Sequence, residues 1–578
     1  MAGPTAPKDP EKARPFFYIL KDKDIFGERQ KDGTGIQFIY ESDGRLINSA
    51  QITGNVTDKE ELRLLETVEG FGRLVHSIGV SVETDRPEET AEFVFQMYGK
   101  KDLYGGGTNL TTSLKCDGME HRIYLSDYRW TEDDHVPGQI KILFAAPERM
   151  GKVSVRLFLN DGYEAPPEEE DLVIDMHSEE YCGMISRSLL QLGNPYRIRK
   201  AIEKSKAGKE VTLAYIGGSI TQGAGAIPIH TECYAYKSFQ LFQNRFSTQN
   251  NVRFIKAGVG GTPSELGMIR FDRDVLREGE RPDIVVIEFA VNDEGDETKG
   301  VCYESLVRKV LKLPWKPAVV LLFSVFANDW NLQERLRPVG DLYDLPMVSI
   351  RDAVTLQFSL KCGEGRILSK NQFFYDIFHP NNTGHTIMAD CLQYLFERCD
   401  AAEPARVGTF VEGMTEEQIL SEKLSGPAVI GADFERIFLL DKKNRYVGAK
   451  IRAGSFTSTD IELQSVEMDG NLTQTPEFPY NWMYDGSRPQ MPGFEMEITC
   501  KSLFLIFKDS GEMDVGKANV FVNDVYCMTA DPHKNNWLHC NAVLLFWETE
   551  SRSHKVRIAV TEEDRNKKFT ILGFGYTI

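Results

Sequence analysis

The 578-residue sequence reads as an α/β protein: a central doubly wound, parallel-sheet domain flanked by two β-sandwich domains of jelly-roll type. Two observations predict the centre. Apolar runs at 211–216, 252–256, 283–288, 318–323 and 346–350 alternate with helix-period stretches at 234–245, 264–276, 303–313 and 383–398. Strict alternation of this kind implies right-handed crossovers, which place helices on both faces of a parallel sheet. A third observation predicts the flanks, because on either side the pattern becomes short period-two runs separated by turn residues. These changes of rhythm set boundaries at 1–180, 181–400 and 426–578, with a linker at 401–425.

Taken in order, residues 16–172 carry the runs FFYIL, GIQFIY, GRLVHSIGVSVET, AEFVFQMYG, HRIYLS, QIKILFAA and KVSVRLFLN, which predict the first sandwich. EAPPEEED at 164–171 is proline-rich and acidic and reads as a solvated connector. A helix follows at 194–205, with Arg197, Arg199, Lys200 and Lys204 on its wet face. The strand–helix region then runs to about Asp400. After the joint, RIFLL, GAKIRAG, SLFLIFKD, KANVFVND, VLLFWE, HKVRIAV and FTILGFGYTI predict the second sandwich, with no internal repeat linking it to the first.

Composition narrows the function. A net charge of −19 opposes binding to nucleic acid or an anionic membrane and suits a neutral substrate. No stretch approaches the roughly 20 apolar residues that span a bilayer. The start, MAGPTAPKDPEKARPF, lacks the apolar core of a secretory signal, so a cytoplasmic location is expected. Ten cysteines without a Cys-x-x-Cys pair read as reduced thiols rather than a disulfide or zinc framework. Sequons at Asn55, Asn109, Asn381 and Asn471 matter only in a secretory pathway.

Four polar stations follow the strand ends in chain order. The run VTLAYIGGSIT stops at Gly217 and Gly218 and presents Ser219 at the carboxyl end of a buried strand, where open α/β sheets bind ligands. AGVGGTPSELG, at 257–267, leaves backbone N–H groups uncovered at its glycines. Asn292 and Asp293 follow the strand IVVIEFAV, and Asp376-Ile-Phe-His379-Pro380 precedes the last helix. A serine needs a base to take its proton, and an imidazole suits that at neutral pH. Asp376 is placed to hold the imidazole tautomer and to stabilise the imidazolium. Pro380 keeps His379 out of helical geometry, so the pair lies on a loop.

In these four blocks, GGSIT, AGVGGT, AVND and DIFH, the central region resembles the SGNH hydrolases of the GDSL type. The resemblance implies Ser219 as nucleophile, Asp376 and His379 completing a triad, and an oxyanion hole from the Ser219 and Gly261 backbone N–H groups and the Asn292 amide. Among Gly258, Gly260 and Gly261, the last is favoured because it directly precedes Thr262. Two departures stand out: Gly-Gly-Ser-Ile replaces Gly-Asp-Ser-Leu, and Ala290 replaces the usual glycine before Val-Asn-Asp. Thr221 occupies the place where an α/β-hydrolase elbow needs its second glycine, and neither a phosphate loop nor a dinucleotide fingerprint is present.

The architecture is similar to that of multidomain carbohydrate O-acetyl esterases, which implies removal of small acyl groups from oligosaccharides. Two alternatives remain open: a lipid or thioester acyl hydrolase, and a non-catalytic carbohydrate-binding protein. With acid–base, covalent and electrostatic roles all filled, no metal or cofactor is expected. His230 and Glu232 follow the serine closely and are candidates for substrate binding. So are Tyr480 and Trp482, which alternate with Phe478 and Tyr484 in a proline-rich stretch expected to be a loop; packing is the structural alternative. His385 reads as a packing residue, and His533, His539 and Cys540 fit no zinc spacing.

Overall fold

The computed structural model describes residues 13–42, 44–101, 105–168, 170–402, 415–470 and 474–578. The first part of the leader, residues 403–414 of the 401–425 linker and the sequon at Asn471 lie outside the described residues. Within the linker's described part, Glu416–Ser425 is a helix whose Thr415 side chain caps Gln418 N. By compactness the chain forms two units. One takes the described residues of Met1–Asp175 with Gly225–Pro228 and Leu356–Gly384; the other takes Met176–Ala224, Ile229–Thr355 and His385–Ile578. Among the described residues no helix is long and apolar enough to cross a membrane.

In the first unit, a four-stranded and a five-stranded antiparallel sheet carry the period-two runs. Alternate residues of both, such as Ile78 and Val80 from one and Phe93, Phe95, Ile140 and Ile142 from the other, meet in a single buried core. Between the strands Gly35–Tyr40 and Val75–Thr84 lie three short helices, Arg45–Ile52, Lys59–Leu64 and Val68–Leu74, of which the third replaces the start of the run read as GRLVHS.

The second unit is built on a six-stranded sheet in the order 189–191, 347–349, 318–323, 284–288, 211–217, 252–258. The last five pair in parallel, as the sequence predicts, while Leu189–Gln191 adds an antiparallel edge. Every residue of Val211–Gly217 is buried. Ala214 and Ile216 face the helices Ser264–Phe271 and Val301–Leu311 in one core. Tyr215 points to the opposite face, where its hydroxyl donates to Ser238 Oγ at 3.0 Å. That alternation is what covers the sheet with helices on both sides.

Toward the C-terminus the alternating runs form one eight-stranded sheet. Its two longest strands, Phe494–Asp509 and His539–Val560, are antiparallel partners with register shifts at 500–504. The period of two again divides the side chains. Leu503, Leu505 and Phe507 enter a core of the sheet's own, whereas Phe504 and Ile506 join the core of the parallel sheet.

Candidate active site

Ser219 opens a single helical turn, Ser219–Gln222, directly after the central strand. Two glycines make that turn possible by leaving room for side chains. A methyl on Gly217 would lie 2.2 Å from Thr221 Oγ1, and one on Gly218 would lie 2.2 Å from Asn292 Oδ1. The Asn292 amide therefore rests on the backbone of the residue before Ser219. Beneath the turn, Thr221 donates to Glu288 Oε2 at 3.1 Å and accepts from the Tyr234 hydroxyl at 2.8 Å. Buried Arg270 donates to Gly217 O at 2.8 Å and to Ala257 O at 2.7 Å, tying two strand ends together, with Asp274 as its counter-ion at 2.9 Å.

Asn292 is followed by buried Asp293, whose carboxylate accepts from Ser264 N at 2.7 Å and Ser264 Oγ at 2.8 Å. Burial, reinforced by Asp296, pushes the Asp293 carboxyl up to about 8. Asp293 thus anchors the loop from below, while Asn292 Oδ1 is buried with no hydrogen-bond partner among the described residues.

The two glycines before Thr262 have different surroundings. A methyl on Gly260 would lie 3.9 Å from Ser219 Cβ, whereas one on Gly261, at φ +70°, would strike Trp537 at 2.8 Å and His539 Nε2 at 2.9 Å. Of the two, Gly260 is the one whose added methyl would approach Ser219. Both carbonyls of that stretch are held from the C-terminal sheet region. Gln464 Nε2 donates to Gly260 O at 3.0 Å, and His539 Nε2 donates to Gly261 O at 3.0 Å. Burial lowers the His539 pKa, which keeps the ring neutral. The Trp537 ring lies tilted against His539, 4.6 Å between centroids, and is 44% exposed.

Asp376 and His379 meet on the loop before the helix Asn382–Ala401. His379 Nδ1 lies 3.0 Å from Asp376 Oδ2, while Asp376 Oδ1 accepts from the backbone N–H groups of Phe378 and His379, both at 2.8 Å. Burial would raise the Asp376 carboxyl, but the His379 ring, its hydrogen bond and the Arg45 guanidinium outweigh it and bring it down to about 2. Gly225, six residues after Ser219, packs against this pair; a methyl there would lie 2.1 Å from Pro380 O and 3.1 Å from His379 Cβ. Asn382 extends the clasp, accepting from Ile227 N and donating to Ile227 O, both at 2.7 Å.

The remaining candidates separate clearly. Trp482 is 5% exposed, in the strand Trp482–Tyr484, with its ring against Phe494 and Phe574. The stretch is a strand and not a loop there, and Trp482 belongs to the core because its neighbours on the sheet are aromatic. Phe478 and Tyr484 are buried too, and only Tyr480 of the four rings is exposed, with Lys443 over it. Glu232 pairs with Lys237 at 2.7 Å. Burial, with the Lys256 ammonium, lowers the pKa of His230. His385 is fully buried, accepting from Tyr234 N and reaching Ala224 O, which is a packing role. Sequence reasoning passed over Trp537, Gln464, Arg270, Lys23 and Arg45, and gave His539 no place at the glycine loop. An exposed tryptophan in the run NNWLH was the one available signal.

Residues 215–387 match the sequence model of the GDSL-like lipase/acylhydrolase family. Among solved structures, the chain is similar to a two-domain esterase active on acetylated mannans, with 23% identity and a TM-score of 0.54. The match covers 68% of this chain and 98% of that one. The same kind of esterase co-crystallised with mannopentaose matches over the same shares, with 23% identity and a TM-score of 0.53. At these identities the likeness establishes a shared fold. None of the curated proteins matches this sequence.

Proposed function

We propose that the protein is a serine esterase that removes small acyl groups, acetyl first among them, from carbohydrates. Its catalytic domain spans about 181–400, and the β-regions at 1–180 and 426–578, with the linker at 401–425, are read as flanking sandwich domains. The observation that carries the reading is the Asp376–His379 pair, hydrogen-bonded at 3.0 Å with its carboxyl held ionised. That pair fixes Nδ1 toward Asp376 and leaves Nε2 to exchange a proton with Ser219.

In the first step Ser219 Oγ bonds to the ester carbonyl carbon and its proton passes to His379. The developing oxyanion is met by the Asn292 amide and backbone N–H groups of Ser219 and the Gly260–Gly261 stretch. Collapse breaks the bond to the sugar oxygen, which takes the proton back from His379. Water, deprotonated by His379, then releases the carboxylate and restores Ser219.

Trp537 supports a sugar substrate, since an exposed aromatic face beside the glycine loop can stack on a pyranose ring. The activity of the structurally similar esterase makes acetylated, neutral oligosaccharides the substrates to test first. A serine-reactive fluorophosphonate should label the protein, and Ser219→Ala should abolish both labelling and release of acetate. Asn292→Ala should cut turnover by about 10²-fold, near 3 kcal/mol of transition-state stabilisation, with KM little changed. Faster cleavage of para-nitrophenyl octanoate than of the acetate would move the lipid or thioester reading ahead. No labelling at all would favour the binding protein.

A further inference from the structure

The loop bearing Asp376 and His379 is fastened to the N-terminal β-region, by contacts such as that of Lys23 with Phe374, 351 residues apart in the chain. Lys23, on the strand Phe16–Phe26, is 3% exposed, and its ammonium donates to Phe374 O and, at 3.5 Å, to Asn371 O. Arg45 opens the helix Arg45–Ile52. Its Nη1 lies 3.9 Å from Asp376 Oδ2, the oxygen that His379 Nδ1 also engages, and its guanidinium lies 5.8 Å from the Phe378 ring. Around these, Asn371 Nδ2 donates to Asp171 at 2.9 Å and Gln372 Nε2 to Leu172 O at 2.6 Å. The loop's own secondary structure is slight: one helical turn, Lys370–Phe373, and an isolated bridge from Phe374 to Pro380.

We propose that Lys23 and Arg45 are positioning residues for the acid–base pair, so that the N-terminal β-region contributes to turnover by holding the Asp376–His379 loop rather than by binding substrate. The proposal rests on the serine esterase reading above. A buried ammonium bonded to two loop carbonyls fixes the main chain leading into Asp376, because breaking those bonds would leave the charge buried and unsatisfied. Arg45 acts on the carboxylate itself. It supplies positive charge on the side of Asp376 away from its backbone donors and keeps the loop's Phe378 end in register.

The electrostatic surroundings of Asp376 are mixed. His379 faces it from its own loop, Arg45 from the helix, Lys23 from the strand, and buried Glu41 from the end of Gly35–Tyr40; Tyr375 adjoins it. With Arg45 gone, Lys23, whose ammonium burial brings down to about 8, is the cation left beside the loop, and Glu41, pushed up to about 8, adds repulsion as it ionises. The Asp376–His379 pair then holds a proton more readily, and base catalysis needs a higher pH.

The test uses the full chain, with fluorophosphonate labelling of the wild type run alongside. Unlabelled wild type would sink the esterase reading itself, whatever the variants do. Given labelling, Arg45→Ala should lower kcat on para-nitrophenyl acetate about tenfold, with KM unchanged. The acid limb of its pH–rate profile should move to higher pH, and Arg45→Lys should recover most of both changes. Lys23→Met should cost about 10²-fold in kcat, as expected when a base is misplaced by about 1 Å. If Lys23→Met does not fold, the Arg45 pair decides. A rise in KM at constant kcat, or wild-type kcat and pH profile in Arg45→Ala, overturns the proposal.

Discussion

The serine half of the proposed machinery, around the proposed nucleophile, and the proposed acid–base half are held by different physics. Ser219, Asn292 and the glycine loop sit at the ends of parallel strands, where Gly217, Gly218 and Gly260 let other groups approach within distances a Cβ would forbid and buried Arg270 and Asp293 tie the backbone beneath. Asp376 and His379 sit on a loop with little ladder of its own, and what places them is charge and hydrogen bonding, through Arg45, Lys23 and the backbone donors to Asp376 Oδ1. Sterically defined geometry is insensitive to pH and salt, whereas charge-defined geometry follows both. Substitutions in the two halves should therefore fail in distinguishable ways.

The largest effect is expected at Asp376. Asp376→Asn keeps the shape but removes the charge that the buried pair is built around, and the asparagine can hold the wrong imidazole tautomer. We expect kcat to fall by on the order of 10⁴-fold, as in serine triads of other folds, with partial recovery at high pH. A pH–rate profile on para-nitrophenyl acetate measures both. A loss that is small or flat with pH would mean that the acid–base half does not work through this charge.

Gly218→Ala probes the other half. Its methyl would lie 2.2 Å from Asn292 Oδ1, so the amide must move. The expected cost equals that of an oxyanion donor, about 10² to 10³ in kcat, with the shape of the pH profile unchanged. Should the profile move as well, the two halves are not mechanically separate. Trp537→Ala should do less, raising KM for an acetylated oligosaccharide several-fold while sparing the aryl acetate, because it removes a platform and no catalytic group.

The same contrast explains what the sequence could reveal. The five parallel strands were readable because strands buried on both faces are continuous apolar runs, and Val211–Ile216 is one. Ser219, Asn292, Asp376 and His379 stand out in the sequence because each lies at a strand end or before a helix, in a short local block. The antiparallel edge Leu189–Gln191 was missed because three half-buried residues carry no period. Trp482 was misjudged because its prolines suggested a loop, while its burial depends on Phe494 and Phe574, which come from elsewhere in the sheet. Lys23, Arg45, Gln464 and His539 left no local trace at all. Each acts on a backbone or side chain 200 or more residues away, and nothing in the surrounding composition marks a lysine that is destined to be buried.

An effect on stability rather than turnover is expected at Glu41, where the charge-defined half carries a cost. Glu41 is 3% exposed and accepts from Ser49 Oγ at 3.1 Å. Burial pushes its carboxyl up to about 8, against hydrogen bonding from Ser49 and attraction from Arg45 that act to lower it. A folded pKa above the unfolded one means that the folded state binds the extra proton. Glu41 therefore favours folding fully below about pH 4.5, and that contribution drains away as the pH rises toward 8, by up to roughly 1.4 kcal/mol per unit. Asp376, lowered to about 2, has the opposite sign: its contribution is present above about pH 4 and is lost only as the pH falls through 2. Glu41→Gln keeps an acceptor for Ser49 and removes the titration. Its melting temperature should match the wild type's near pH 5 and exceed it by a growing margin to pH 8, then run parallel. A margin that is constant from pH 5 to 8 would show that Glu41 is already ionised in the fold, and that Arg45 and Lys23 compensate it more fully than its burial suggests.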